Sequence, residues 1–139
     1  MRLKKAPLDA PFLTFENMTT TARIVDIIDG DTIVVIFPFK GEFYKFRIRL
    51  AGINCPERFT EEGKDATLFL ARAIINDSFT YTDKQDIKNA LSKNVVILSL
   101  SLHGSEKYGR LLGTIYKNGV DINNMLVEAG HAVPYMLKS

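Results

Sequence analysis

Between Arg23 and Leu50 the chain carries a pattern that suits a reversing β-sheet and little else. β-Branched residues crowd Arg23 to Ile28 and again Thr32 to Phe37, and the Asp29-Gly30 dipeptide between them favours a tight hairpin turn. After Pro38-Phe39-Lys40-Gly41, the run Glu42 to Leu50 alternates, with Tyr44, Phe46, Ile48 and Leu50 on one face and Lys45, Arg47 and Arg49 on the other. This is a third strand with a basic side. By default such a stripe is the solvated face of a half-buried strand, and Tyr44, Phe46, Phe69 and Phe79 read first as core residues.

Ala51 to Glu62 is a loop holding Gly52 and Pro56, and Gly63 to Ile75 then sets Ala66, Phe69, Leu70, Ala73 and Ile74 at helical spacing. Residues 76–93 are polar and irregular apart from a helical turn over Ile87 to Leu91, and read as an insertion. Asn94 to Leu102 and Leu111 to Tyr116 are two further strands. Asn118-Gly119 turns the chain, Asp121 caps a short helix, and Gly130 ends it. Five strands interrupted by a helix, without a parallel crossover pattern, predict a small, mostly antiparallel barrel with added helices, mainly β in an α+β arrangement. Its 139 residues and 46% hydrophobic content suit one such core. Residues 1–20, without a clear period, are expected to be an N-terminal extension, and 21–139 the domain.

Composition narrows the chemistry. One cysteine, Cys55, excludes an internal disulfide, and with only His103 and His131 beside it no thiolate or imidazole zinc cage can form, so a metal here needs oxygen ligands. Eighteen Lys and Arg against 16 Asp and Glu leave a formal charge of +2, which tolerates a polyanionic partner without announcing one. The basic start Met1 to Lys5 is followed by Pro7, Asp9, Pro11 and Glu16 before any apolar run, and no stretch is long enough to cross a bilayer. A soluble intracellular monomer without membrane contact is expected.

Three segments concentrate oxygen ligands and guanidinium groups: Asp29-Gly30-Asp31-Thr32, Arg49 to Glu57, and Glu106 to Arg110. A closed barrel can bring Asp31, Asn54 and Glu57 together, and such a set suits Ca²⁺. Glu57 is the general-base candidate, since neither histidine lies in these segments. Arg49 and Arg110 each offer a planar fork to a phosphate, as transition-state clamps. Taken singly, each segment has a plainer reading: a hairpin turn, a loop carboxylate, and a surface pair between Arg110 and Glu106. Cys55 has no histidine placed to activate it as a nucleophile.

Taken in order, Asp29-Gly30-Asp31-Thr32, Arg49-Leu50-Ala51-Gly52-Ile53-Asn54-Cys55-Pro56-Glu57 and Tyr108-Gly109-Arg110 resemble the three signature blocks of the staphylococcal nuclease (thermonuclease) family, over roughly residues 22–135. The resemblance implies a five-stranded oligonucleotide-binding-type barrel, Ca²⁺ dependence, and hydrolysis of DNA and RNA to 3′-phosphate ends. It implies that Arg49, Arg110 and Glu57 are catalytic, that Asp31 is a direct calcium ligand, and that Cys55 offers its backbone carbonyl. Lys107 and Tyr108 match positions that touch a substrate phosphate, and Tyr135 lies near a nucleotide-contacting tyrosine.

The chain departs from the family pattern in two places. Asn54 stands where the family has an aspartate, which predicts weaker metal binding rather than a dead site. The further C-terminal helix of longer members is expected to be absent. A catalytically inactive nucleic-acid- or protein-binding module is the alternative; the Asn54 change favours it, and the joint presence of Arg49, Glu57 and Arg110 opposes it.

Overall fold

The computed structural model describes residues 1–135. Its elements, in chain order, are β1 (Thr19–Asp29), β2 (Thr32–Phe39), β3 (Glu42–Leu50), β4 (Ile53–Asn54), α1 (Glu61–Ile74), α2 (Gln85–Lys93), β5 (Ile97–Ser105), β6 (Leu111–Lys117), β7 (Val120–Asp121), α3 (Ile122–Glu128) and β8 (Val133–Pro134). Strands β3, β2, β1, β5 and β6 are neighbours in that order, and β3 meets β6 in parallel through Ile48 to Leu50 against Leu111 to Gly113. That last pairing closes the expected five-stranded barrel and removes its open edges.

Strand β1 serves two partners. Its first half pairs with β5, from Thr19 opposite Ser101 to Arg23 opposite Ile97, and its second half pairs with β2. Register shifts between Ile24 and Asp26 and between Ile27 and Asp29 bend the strand as it passes from one partner to the other. Ile24, Ile27, Ile33, Ile48, Leu100 and Ile115 fill the interior completely. At Gly113 an added methyl group would lie 2.8 Å from Leu100 Cδ1 and 3.1 Å from Ile48 Cγ2, so the core side chains fill the space that the glycine leaves.

Helix α1 begins at Glu61 rather than Gly63, because Thr60 serves as its cap: the Thr60 hydroxyl accepts the Gly63 N–H at 3.0 Å. Glu61 and Glu62 in the first turn complement the helix dipole, while Ala66, Leu70, Ala71 and Ile74 face the barrel.

Two expectations are refined. The segment over residues 76–93 holds a packed helix, α2, which buries Ile87 and Leu91 completely, each contributing about 1.5–3 kcal/mol of apolar transfer. Ahead of it, the Lys84 ammonium donates to the carbonyls of Ile27 at 2.7 Å and Ile28 at 2.5 Å, at the irregular end of β1. The segment therefore braces the strand that leads to Asp31. At the N-terminus β1 already starts at Thr19, and Phe15 packs against Phe37, Phe39 and Phe46.

Candidate active site

Asp31 follows the β1–β2 turn directly. The Asp31 N–H donates to Asp29 Oδ1 at 3.0 Å, which holds the turn. The turn can approach its neighbours because residue 30 is glycine: a methyl group there would sit 2.8 Å from Ala66 Cβ and 2.9 Å from Cys55 Sγ. Close approach then lets the Cys55 N–H donate to Asp31 Oδ2 at 3.0 Å, and the Thr32 hydroxyl lies 3.3 Å from Asp31 Oδ1. Burial and the Asp29 charge push the Asp31 carboxyl above the ordinary carboxylate range, against the opposing pull of the Cys55 amide and Arg49.

Arg49 stands opposite Thr32 in the β2–β3 register, with only 6% of its surface exposed. Its Nη1 donates to the Leu50 carbonyl at 2.8 Å and its Nη2 to the Ile53 carbonyl at 2.9 Å. The same Nη2 lies 3.5 Å from Asp31 Oδ2 and 3.4 Å from Asn54 Oδ1. A buried guanidinium held by two carbonyls and a carboxylate is a fixed charge that needs no reorganisation.

Arg110 reaches the same place from the β5–β6 connection. Glu106 grips it in a fork, Nε to Oε1 and Nη2 to Oε2 both at 3.2 Å, and Nη1 donates to the Thr32 hydroxyl at 3.3 Å. The pair with Glu106 is thus real, but it aims Arg110 at Thr32 instead of leaving it a plain surface pair. The Glu106 side chain is only 6% exposed. Burial raises its pKa, yet the hydrogen bonds from Arg110 and from the amides of Arg110 and Tyr108 outweigh burial and hold the carboxyl below its ordinary value.

Glu57 lies in the loop two residues beyond Cys55 with an exposed side chain. Its backbone is anchored: the Glu57 carbonyl accepts the Thr60 hydroxyl at 2.7 Å and the Thr60 N–H at 3.0 Å, at the head of α1. Gly63 packs against that carbonyl so closely that a methyl group would lie 1.8 Å from the oxygen. Lys107 and Tyr108 are exposed at the tip of the β5–β6 turn, with the Lys107 ammonium 5.0 Å and the Arg110 guanidinium 6.0 Å from the Tyr108 ring. Tyr135 is tied by its N–H to the Gly52 carbonyl at 2.8 Å, beside the β4–β8 pairing.

Direct contacts therefore join Asp31, Arg49, Asn54 and Cys55, and Thr32 links them to Arg110. The Cys55 thiol is pushed up to about 12 by burial and by the charges of Asp31 and Asp29, so it stays protonated and is no nucleophile. His131 packs its ring 4.7 Å from that of Phe69. Among the described residues no cluster of three or more His, Cys, Asp or Glu side chains is placed to hold a metal. The donors that the contacts bring together, the Asp31 carboxylate and the Asn54 amide oxygen, are hard oxygens, of the chemistry that suits a cation such as calcium.

Residues 47–139 match the family model of staphylococcal nuclease homologues. The chain belongs to this family. The matched stretch takes in Arg49, Asn54, Cys55, Glu57 and Arg110; Asp31 lies outside it and is brought in by the contacts with Arg49 and Cys55. Among curated proteins the chain is similar to proteins named uncharacterized endonuclease from Escherichia coli O157:H7 and Escherichia coli, each 30% identical over 114 residues. These alignments cover 81% of this chain and 60% of the relative. It is also similar to a protein of Oryza sativa subsp. japonica named probable staphylococcal-like nuclease, 29% identical over 91 residues, 66% of this chain and 22% of that protein. The chain thus spans 60% or less of the length of these relatives.

The Glu106–Arg110 pair was expected only as a plain surface pair, not as the fork that orients Arg110, and the Thr60–Gly63 contacts that anchor the Glu57 carbonyl were not expected at all. Glu106, four residues ahead of Arg110, carried a readable signal as an acidic partner. The role of Gly63 had none, since it follows from a contact between a helix and the loop before it.

Proposed function

We propose that the chain is a Ca²⁺-dependent endonuclease hydrolysing phosphodiester bonds of DNA, RNA or both to 3′-phosphate ends. The observation that carries this reading is the convergence of Asp31, Arg49, Asn54 and Cys55 through direct contacts, with Arg110 joined through Thr32 and Glu57 anchored on the same loop. Asp31, the Asn54 amide oxygen and the Cys55 carbonyl would hold the cation. When bound, it supplies positive charge against the phosphate oxygens and acidifies water near it.

The remaining work falls to the chain's own side chains. Glu57 accepts a proton from the attacking water as that water's oxygen bonds to phosphorus. The bond between phosphorus and the 5′ oxygen breaks in line, and the departing oxygen takes a proton from solvent, which leaves a 5′-hydroxyl and a 3′-phosphate. Arg49 and Arg110 stabilise the added negative charge, Arg49 as a buried fixed charge and Arg110 as a fork that Glu106 holds in place. Lys107 and Tyr108 meet a neighbouring phosphate, and Tyr135 contacts a nucleotide.

A binding module without activity is the second reading, favoured by the neutral Asn54 in the ligand set. Cleavage of single-stranded DNA and RNA across a Ca²⁺ titration into the millimolar range, with analysis of product ends, separates the two. The nuclease reading expects cutting that a chelator abolishes and products ending in 3′-phosphate. Salt-sensitive binding without cutting at any Ca²⁺ concentration gives the second reading.

A further inference from the structure

Beyond Glu57 the same loop runs into a second cavity, of about 610 Å³, that the proposed chemistry does not use. Its walls include Arg58, Phe59, Lys64, Leu68, Tyr81 and Lys84, from the loop, α1 and the segment ahead of α2. The volume lies within the range of about 300–1,000 Å³ typical of small-ligand sites. Arg58 and Lys64 bring positive charge to it against the single carboxylate of Asp65, while the Lys84 ammonium is taken up by the carbonyls of Ile27 and Ile28. Lys64 is free to meet a ligand, because its pairing with Glu61 is loose at 3.8 Å and 60% of its side chain is exposed.

Phe59 is the unusual member. It is 77% exposed, contributes nothing to the core, and carries the Arg58 guanidinium 4.7 Å from its ring centroid. A solvent-facing aromatic ring with an arginine on it, at a cationic rim, is the arrangement on which unstacked bases of single-stranded nucleic acid settle. It also lies close to the chemistry: two residues of backbone separate Phe59 from Glu57, a span of at most about 7 Å.

We propose that this cavity receives an unstacked base of the polynucleotide beside the scissile phosphate, with Phe59 as the stacking platform and Arg58 and Lys64 on the adjoining phosphate. This rests on the nuclease reading, which supplies the strand's position at Glu57. A duplex holds its bases in the helical stack and presents none to Phe59.

The chain contains no tryptophan, so Phe59→Trp introduces a single fluorescent reporter at the platform. Titration with a single-stranded decanucleotide is expected to quench that fluorescence strongly, and titration with the matching blunt duplex is not. In a Glu57→Gln background, Phe59→Ala is expected to weaken single-strand binding roughly tenfold by fluorescence anisotropy, and Phe59→Tyr to retain it. Because Phe59 is exposed, these variants keep the fold, which circular dichroism checks. Equal quenching by duplex and single strand, or unchanged binding in Phe59→Ala, overturns the proposal. Binding is read without cleavage, so the two readings fail separately: quenching in a protein that never cuts leaves the platform standing, and cutting without quenching leaves the nuclease standing.

Discussion

Gly63→Ala sets a local gain against a steric loss. Inside the first turn of α1, replacing glycine with alanine ordinarily stabilises a helix, by about 0.5–1 kcal/mol. Here the new methyl carbon would lie 1.8 Å from the Glu57 carbonyl oxygen, 2.6 Å from its carbon and 2.9 Å from Arg58 Cα. A carbon and a carbonyl oxygen meet comfortably no closer than about 3.3 Å, so the loop must retreat by roughly 1.5 Å. That retreat stretches the 2.7 Å bond from the Thr60 hydroxyl to the same carbonyl, a loss of about 0.5–1.5 kcal/mol, on top of about 1–3 kcal/mol for overpacking. The steric terms win, for a net destabilisation of roughly 1–3 kcal/mol, and Glu57 moves with its own carbonyl. A displacement of about 1 Å in a reacting group can cost about 100-fold in rate. Thermal unfolding followed by far-UV circular dichroism should show a midpoint lower by roughly 4–12 °C, and the cleavage rate, measured well below that midpoint, should fall by about two orders of magnitude. A variant that melts at or above the wild-type temperature and cuts within about twofold of its rate would refute the claim that Gly63 positions Glu57.

Three further outcomes follow from contacts elsewhere. Asn123, buried at the start of α3, donates to the carbonyls of Ala51 and Gly113 at 3.0 Å and accepts the Ile115 N–H at 3.3 Å; Asn123→Ala leaves the Ala51 carbonyl and the Ile115 amide short of a partner and should cost roughly 2–5 kcal/mol by denaturant titration. Asn54→Asp restores a formal charge among the oxygen donors, and calorimetric titration should show Ca²⁺ binding tightened by about tenfold or more; unchanged affinity would remove Asn54 from the ligand set. The Glu106 carboxyl is held below its unfolded value, so its pairing with Arg110 stabilises fully above the ordinary value of 4.5 and is lost as pH falls through the lower folded value. Between about pH 6 and 3, Glu106→Gln should therefore lose less melting temperature than wild type, and equal losses would show that the pair carries no such linkage.

The barrel was readable because its strands announce themselves locally. The β-branched runs around Asp29-Gly30 mark two strands, whereas the alternation from Glu42 to Leu50 holds only in part: Tyr44, expected in the core, is exposed, and Arg49, expected on the solvated face, is buried with Ile48 and Leu50 where β3 meets β6. The three site segments lie at the ends of those strands. The helix over Gln85–Lys93 was harder to see, since it shows the core only Ile87 and Leu91, too few apolar positions to establish a period. Its brace, Lys84 on the carbonyls of Ile27 and Ile28, joins residues more than fifty apart in sequence and leaves no local trace. The two-residue strands β4 and β8 are equally silent, because a two-residue run has no pattern and exists only by pairing with its partner. Within the site, residue types revealed Asp31, Arg49, Glu57 and Arg110 as candidates. What holds them in place, the space at Gly30 and Gly63, the Thr60 cap and the Glu106 fork, depends on distances that only the folded chain contains.

The most direct test of the account is a side-by-side cleavage assay of wild type and Glu57→Gln on single-stranded DNA at saturating Ca²⁺. With Glu57 as the proton acceptor, the exposed carboxamide should leave folding and oligonucleotide binding intact while the cleavage rate falls by a factor of about 10²–10⁴. Glu57→Gln protein that cuts as fast as wild type, with the same chelator sensitivity, would contradict the assignment of the site.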